Sequence, residues 1–205
     1  MGKHNIIWKR YPIHLPEINR TWGIMGTAPQ VGTTFMAILL ASYMSGLFWK
    51  KTAVLEWNSS GDFLKIMKQY GECQKEGMYF CHKGVDYYPA ALETSITHCL
   101  SQDYRCIIID FGCDYIQGRN EFLRCQKKIV MGSTVDWEIA EYMDFVRWTK
   151  RDQEDGWLYA AVFGSRKNRA KIERMMHISI VQVPFLESPY WINEAVMRFF
   201  QMFLK

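Results

Sequence analysis

Short apolar runs along the chain alternate with longer segments whose apolar residues recur at helical spacing. Apolar runs bounded by turn residues are typical of buried strands, and the helical spacing predicts helices. We expect strands at residues 22–25, 52–57, 104–110, 128–131, 157–163 and 178–183. We expect helices at about residues 33–48, 62–70, 90–102, 136–148, 168–176 and 191–204. Residues 71–89 have weak periodicity, which predicts one short strand and loops.

This alternation predicts an α/β fold with a mostly parallel central sheet and helices on both faces. The clearest strand, at residues 104–110, has four consecutive apolar residues before Asp110, as expected of a central strand buried on both faces. No linker or repeat divides the chain, so we predict an N-terminal arm at residues 1–20 and a single domain at residues 21–205. Pro12 and Pro16 favour an extended arm.

Composition narrows the possible classes of protein. A net charge of +4 is too small to indicate a nucleic-acid binder by itself, and the aromatic content of 15% suggests that some rings lie at surfaces. The six cysteines form no C-x-x-C pair, which argues against a zinc site. The first 20 residues have no apolar core of a signal peptide, and the apolar run at residues 35–44 is short of the roughly 20 residues that span a bilayer. We therefore expect a cytoplasmic protein.

The turn between the first predicted strand and helix has the layout of a phosphate-binding loop. In such loops, backbone N–H groups and a helix N-terminus converge on phosphate oxygens, a lysine adds charge and a hydroxyl holds Mg²⁺. The alternative is an ordinary turn between a strand and a helix. The candidate nucleotide-binding residues are Gly26, Thr27, Ala28, Pro29, Gln30, Val31, Gly32, Thr33 and Thr34.

This loop resembles the deviant Walker A loop of the MinD/ParA family, Lys-Gly-Gly-x-Gly-Lys-Thr. Gly32 matches its last glycine, and Thr34 matches its magnesium-binding threonine. Both lysines are replaced, at Ala28 and Thr33, and Pro29 and Gln30 stand in place of the two glycines. The family binds ATP with Mg²⁺. Since the replacements remove the positive charge that binds phosphate and stabilises its transfer, we expect no cofactor and no catalysis, with ATP and Mg²⁺ bound only if nucleotide binding is retained.

Other segments extend the resemblance along the chain. Glu56 and Asn58 lie where the family has its switch I acidic residues, and Asp110 ends an apolar run similar to the Walker B strand. Residues 183–185, Val-Pro-Phe before the last helix, resemble a late turn of the family, whereas residues 164–166 lack its base-recognising Asn. The resemblance implies Thr34, Glu56 and Asp110 as magnesium ligands, if the site is retained. The alternatives are that Asp110 caps the next helix and that Glu56 lies in a surface loop.

Two surfaces are candidates for partner binding. Five cations cluster late in the chain, with the first two in a loop before the helix at residues 168–176, and they predict either a DNA or acidic-partner surface or a solvated helix face. These are Arg166, Lys167, Arg169, Lys171 and Arg174. The last helix is apolar around most of its circumference. We expect it to pack in the core, with partner contact and then peripheral membrane contact as alternatives.

These features lead to three hypotheses. The first is a degenerate MinD/ParA-like pseudo-ATPase that acts as a scaffold, localisation or assembly factor through protein contacts, as a homodimer. Within the family, the chain resembles the TadZ/CpaE group. The second is a weakly active ATPase or nucleotide-gated switch, in which Lys51 or a partner's arginine supplies the missing charge. The third is a ParA-like protein that associates non-specifically with DNA.

Overall fold

The computed structural model describes residues 21–48, 51–70, 74–75, 78–153 and 156–204, so the predicted arm at residues 1–20 lies outside the described residues. Within these ranges the chain forms nine strands and seven helices. The strands are β1 (Thr21–Gly26), β2 (Thr52–Glu56), β3 (Gln74–Lys75), β4 (Tyr79–His82), β5 (Val85–Tyr88), β6 (Cys106–Asp110), β7 (Lys127–Thr134), β8 (Trp157–Gly164) and β9 (Ile180–Gln182). The helices are α1 (Thr33–Phe48), α2 (Asp62–Tyr70), α3 (Glu93–Ser101), α4 (Tyr115–Arg124), α5 (Ile139–Thr149), α6 (Arg166–Met176) and α7 (Glu194–Phe203).

The described strands form one sheet in the order β3-β4-β5-β2-β6-β1-β7-β8-β9. Across the sheet, the neighbouring strands from β5 through β2, β6, β1, β7 and β8 to β9 all pair in parallel. Among the described strands only the β3–β4 and β4–β5 pairs are antiparallel. All five residues of β6 are buried, as predicted for a central strand covered on both faces. The predicted α/β class with a mostly parallel sheet is therefore confirmed.

Each face of the sheet has its own helices and its own apolar core. Helices α1, α2 and α7 cover one face, where Leu39, Phe63 and Phe200 belong to one cluster. Helices α3, α4, α5 and α6 cover the other face, and each contributes buried side chains to the second cluster. Examples are Ile96, Tyr115, Phe145 and Ile172.

Three local predictions were wrong. The described part of residues 71–89 contains three strands rather than one: β3 pairs with β4, and β4 and β5 form a hairpin whose second strand also pairs with β2. Helix α4 was not predicted, since it is short and mostly polar and has a glycine in its interior. Helix α6 begins at Arg166, two residues earlier than expected, because the Ser165 side chain accepts the Asn168 N–H and caps the helix.

The last helix packs in the core, as expected. Val196, Met197, Phe199, Phe200 and Phe203 are buried, and the Phe200 ring centroid lies 4.4 Å from that of Tyr43 in α1. Its opposite face is exposed, so the helix is amphipathic rather than apolar on all sides. None of the helices in the described ranges combines the length and the apolar character needed to cross a bilayer.

Candidate nucleotide site at the carboxyl edge of the sheet

The carboxyl ends of three neighbouring strands meet beside the loop between β1 and α1. Strand β2 ends at Glu56, β6 at Asp110 and β1 at Gly26, and these strands are adjacent in the sheet. In open α/β folds, ligands bind outside the carboxyl ends of the strands. The loops that follow these strands enclose a cavity of about 490 Å³, called the edge cavity below.

The start of the phosphate-type loop is bonded to neighbouring strands. The N–H of Gly26 donates to the Gly112 carbonyl at 2.6 Å, and the N–H of Thr27 donates to the Met131 carbonyl at 2.8 Å. Farther along, Gln30 has a φ of 63° and Gly32 a φ of 86°. Glycine adopts this left-handed conformation freely, whereas a glutamine there stores strain. The loop therefore keeps left-handed backbone at both positions, although Gln30 stands where the family has a glycine.

The residue at the position of the missing lysine is a threonine that lies close to the end of β1. A Cβ built on Gly26 would lie 2.7 Å from the Thr33 hydroxyl, and Thr33 is only 8% exposed. The Thr33 side chain therefore packs against the end of β1. The first N–H of α1 that reaches a carbonyl is that of Met36, on Gly32, at 2.9 Å, so residues 33–35 form the open first turn.

The predicted magnesium residues Thr34 and Asp110 are in direct contact. The Thr34 hydroxyl donates to one carboxylate oxygen of Asp110 at 2.6 Å, and the Gly112 N–H donates to the other at 3.0 Å. Burial raises the pKa of Asp110 to about 6, although these hydrogen bonds favour its charged form. Asp110 does not cap the next helix, since Asp114 accepts the Gln117 N–H at the start of α4. The helix-cap alternative for Asp110 is thus wrong.

Glu56 is fully buried, so the alternative that places it in a surface loop is wrong. One carboxylate oxygen accepts the Ser60 hydroxyl at 3.0 Å and the Phe63 N–H at 3.1 Å, and the other accepts the Ala90 N–H at 3.3 Å. Glu56 therefore joins the turn before α2 to the loop after β5. Asn58 extends this network, because its amide donates to the Asp110 carbonyl at 3.0 Å.

The edge cavity is lined without a cation. Among its described lining residues the charged side chains are Asp62 and Asp114, and the rest are polar or apolar, including Trp57 and Phe111. The described chain also holds no group of three or more His, Cys, Asp or Glu side chains suited to a metal. A triphosphate needs positive charge to offset its own negative charge. The lining residues present therefore do not fit ATP with Mg²⁺.

Lys51, named as a possible substitute for the missing lysines, lies at the other end of the sheet. It precedes the amino end of β2, and its ammonium group sits 4.5 Å from the centroid of the Tyr104 ring. Since the edge cavity lies at the carboxyl ends of the strands, Lys51 does not reach it. The expectation that Lys51 supplies the cation is wrong.

Solved structures place this architecture among known folds, whereas comparisons with protein-family models and with curated protein sequences find no match. A ParA family ATPase from Chlorobium tepidum TLS superposes with a TM-score of 0.60 at 15% identity, over 82% of this chain and 85% of that one. A putative plasmid partition protein from Borrelia burgdorferi B31, bound to AMPPNP, superposes with a TM-score of 0.62 at 14% identity, over 90% and 99%. The chain has a MinD/ParA-like fold.

A third similar structure is the MinC:MinD cell division protein complex of Aquifex aeolicus. It superposes with a TM-score of 0.60 at 10% identity and covers 82% of each chain. At such identities the similarity establishes the MinD/ParA-like fold alone.

The cations of the predicted partner surface do not form one patch. Arg166 and Lys167 lie in the first turn of α6 and not in a loop, so this part of the prediction was wrong. Arg169 is half-buried and donates to the Gln182 side chain at 3.3 Å. Lys171 and Arg174 are exposed farther along the helix. Only the first two cations therefore lie at the carboxyl edge, next to the end of β8.

Several residues of the edge cavity were not singled out from the sequence. Trp57, Asp62 and Asp114 line it, and each follows the end of β2 or β6 by one to six residues. Their position shortly after a buried parallel strand was the sequence signal that could have marked them as candidate site residues. It could not show which side chains turn toward the cavity, because this depends on how the loops pack.

Proposed function

We propose that this chain is a MinD/ParA-like pseudo-ATPase that acts as a scaffold, localisation or assembly factor through protein contacts. The observation that carries the proposal is the charge of the edge cavity. In the described structure, Asp62 and Asp114 line it, Asp110 lies buried at the end of β6, and no cation is among its lining residues. Asp62 pairs with Lys65 at 2.7 Å, so the carboxylates of Asp114 and Asp110 supply the negative charge that no neighbouring cation of the described residues offsets. Such a site opposes binding of a polyanion.

The state of the phosphate-type loop supports the same proposal. Pro29 has no N–H to donate, the N–H groups of Gly26 and Thr27 are bonded to the protein, and the Thr33 side chain packs within the turn. Each of these features removes a part of a phosphate cradle while the surrounding strands and helices remain. The chain therefore preserves the architecture and not the chemistry.

Protein contact is supported by the exposed apolar side chains of the chain. Trp137 and Ile116 are each 77% exposed, and Phe185 is 87% exposed. Large exposed apolar groups are suited to contact with another protein where they lie together on a surface. A solved complex of MinD with MinC shows that a protein of this fold assembles with another protein. The similarity to the TadZ/CpaE group stays a prediction.

Calorimetric titration with ATP and Mg²⁺ tests this proposal. We expect no binding at nucleotide concentrations up to about 1 mM and no phosphate release. A site with a Kd of about 1 mM would have a binding free energy of only about −4 kcal/mol. The Thr33→Lys variant restores one cation and is compared with Thr33→Gln, which adds a neutral side chain of similar reach. Binding by the unaltered protein in the micromolar range would overturn the pseudo-ATPase proposal.

A weakly active ATPase or nucleotide-gated switch is the second candidate. The observation that favours it is the 2.6 Å hydrogen bond between Thr34 and Asp110, because it keeps together the two residues matched to magnesium binding. Phosphate release that is lost in a Thr34→Ala variant would support this candidate. The DNA-associated alternative has less support, because the cations of α6 do not form one surface. Arg166 and Lys167 lie in the first turn of the helix, whereas Arg169 is bonded to the Gln182 side chain.

A further inference from the structure

A second cavity, of about 530 Å³, lies between helices α3 and α4 on one face of the sheet and is called the helix groove below. No described residue lines both this groove and the edge cavity. Its apolar lining residues are Ile96, Leu100, Ile109 and Cys125. Three of them are buried, whereas Leu100 is 42% exposed. The groove therefore has an apolar floor that is open on its outer side.

Helix α3 contributes one continuous face to this groove. Glu93, Ile96, Thr97 and Leu100 line it, and their spacing of three and four residues places them on the same side of the helix. Ile96 and Leu100 are the apolar members of this face, while Glu93 and Thr97 are exposed and polar. A face of this kind is best covered by a segment that offers apolar side chains to its centre and polar or charged ones to its rim.

The chain enters the sheet at one end of this groove. Helix α3 ends at Ser101, shortly before β6, and α4 ends at Arg124, shortly before β7, so both helices end at the amino edge of the sheet. Strand β1 lies between β6 and β7, and its first residue, Thr21, lines the groove. The Thr21 N–H donates to the Gln126 side chain at 3.0 Å, and the Thr21 hydroxyl accepts the Gln126 N–H at 3.0 Å. The chain before Thr21 therefore begins at the mouth of the groove.

The segment before Thr21 has the residue types and the length that this groove requires. Residues 13–18 include Ile13, Leu15 and Ile18, with Pro16 among them. Proline favours an extended backbone and removes an N–H that an apolar floor leaves without an acceptor. The groove face of α3 is about 10 Å long, at 1.5 Å per helical residue. An extended chain advances about 3.3 Å per residue, so Ile18 reaches the near end of this face and Leu15 the far end.

The charges of the groove and of this segment are complementary. The charged lining residues are Glu93, Glu121 and Arg124. Glu121 pairs with Arg124, and within the part of the chain that the structure describes Glu93 forms no ion pair. Residues 1–20 carry four Lys or Arg residues and one Glu. A basic segment is therefore attracted to the rim of the groove.

We propose that residues 13–18 occupy the helix groove of their own molecule, with Ile18 and Leu15 packed on Leu100 and Ile96. Because the segment is tethered at Thr21, its effective concentration at the groove is in the millimolar range, and a modest contact area suffices to hold it there. A free partner with the same side chains has to displace it. The segment thus acts as a built-in cover of this surface. The inference goes beyond the proposed function, since it concerns a different surface and requires neither nucleotide nor partner.

Disulfide trapping in the full chain tests this placement. In the variant with Ile18→Cys and Leu100→Cys, occupation of the groove brings the two thiols within bonding distance. We expect mild oxidation to form a disulfide within one chain, seen as a monomer in non-reducing electrophoresis and assigned by peptide mass mapping. The matched control is Ile18→Cys with Ile116→Cys, because Ile116 is 77% exposed but lies at the opposite end of α4. We expect trapping there to be at least about 10-fold slower.

Hydrogen exchange provides a second measurement that needs no cross-link. We expect the backbone amides of residues 13–18 in the unaltered protein to exchange at least about 10-fold more slowly than in a peptide of the same sequence. Leu100→Asp and Ile18→Asp each place a carboxylate in the apolar contact and should abolish this protection. Ile116→Asp, on an exposed site outside the groove, should leave it unchanged. Circular dichroism verifies the fold of each variant.

The outcomes distinguish the proposed occupant from others. A disulfide between Ile18→Cys and Leu100→Cys that links two chains would overturn the placement within one molecule, because the segment of one copy would then fill the groove of another. Equal trapping at Leu100→Cys and Ile116→Cys, or unprotected amides at residues 13–18, would also overturn it. So would a small apolar molecule that native mass spectrometry finds on the unaltered protein and not on Leu100→Asp. ATP binding in calorimetry would overturn the pseudo-ATPase proposal and leave the trapped disulfide unaffected.

Discussion

The hydroxyl of Thr34 donates to the carboxylate of Asp110 at 2.6 Å and joins the first turn of α1 to the end of β6. These residues lie 76 positions apart in the chain, and Asp110 is fully buried. A buried carboxylate is costly unless hydrogen bonds satisfy it. Thr34 and Gly112 provide such bonds here, so the residues matched to magnesium binding have a structural role that does not depend on a metal.

The raised pKa of Asp110 predicts that stability depends on pH. Because this pKa rises from 3.8 to about 6 on folding, the folded state binds the proton more tightly. The contribution of Asp110 is therefore most favourable below pH 4 and is lost as pH rises toward 6. At neutral pH the buried charge costs on the order of 3 kcal/mol.

Urea unfolding at pH 5 and pH 7 measures this effect in the unaltered protein and in Asp110→Asn. We expect the free energy of unfolding of the unaltered protein, relative to that of the variant, to be about 1 kcal/mol higher at pH 5. The variant removes the titrating group and serves as the reference. Equal pH dependence in both proteins would contradict a raised pKa at Asp110.

The buried position of Glu56 predicts a large loss of stability on truncation. Glu56→Ala leaves the Phe63 and Ala90 N–H groups and the Ser60 hydroxyl without their acceptor. We expect the free energy of unfolding to fall by about 3 kcal/mol. Glu56→Gln keeps one oxygen and should lose less, while Glu141→Ala, at an exposed position of α5, should change it by less than about 0.5 kcal/mol. Equal losses at Glu56 and Glu141 would contradict the structural role.

Strand β8 ends so close to Thr134 of β7 that we expect Gly164 not to tolerate an added methyl group. This glycine has a φ of 117°, and a Cβ there would lie 2.1 Å from the Thr134 hydroxyl and 2.2 Å from its backbone. Gly164→Ala should lower the free energy of unfolding by on the order of 3 kcal/mol or more. Gly156→Ala is the matched control, since Gly156 has a φ of 104° with open space around its Cβ position.

Thermal and urea unfolding of the two alanine variants separates the steric effect from the backbone effect. Gly156→Ala reports backbone strain alone, which costs about 1–3 kcal/mol. The difference between the variants then measures the contact with Thr134. Equal losses of unfolding free energy in Gly164→Ala and Gly156→Ala would contradict the close approach of β7 and β8 at this point.

The packing of α7 predicts unequal effects for two large side chains of that helix. Phe200 is fully buried against Tyr43, whereas Met202 is 64% exposed. We expect Phe200→Ala to lower the free energy of unfolding by about 3–5 kcal/mol and Met202→Ala by less than about 0.5 kcal/mol. Chemical denaturation measures both, and a larger effect at Met202 would indicate that this face is covered.

Most of the fold could be predicted from hydrophobic patterning. The strands at β1, β2 and β6 and the helices α1 and α2 follow from apolar runs and helical spacing, because buried elements leave a strong periodic signal. The elements that were missed have weak signals. Helix α4 is mostly polar and depends on its Asp114 cap, and the strands of residues 71–89 are defined by pairing with each other and with β2.

By itself, the sequence determined the α/β class, the resemblance of the loop at residues 26–34 and the loss of both lysines, because these are properties of residue types and their order. Only the tertiary structure decided that Lys51 lies away from the edge cavity and that Glu56 is buried. It also decided that Asp114 and Arg166 share one edge of the sheet. The physical reason is that charge acts through space, and the distances between residues distant in sequence are set by how the strands are ordered.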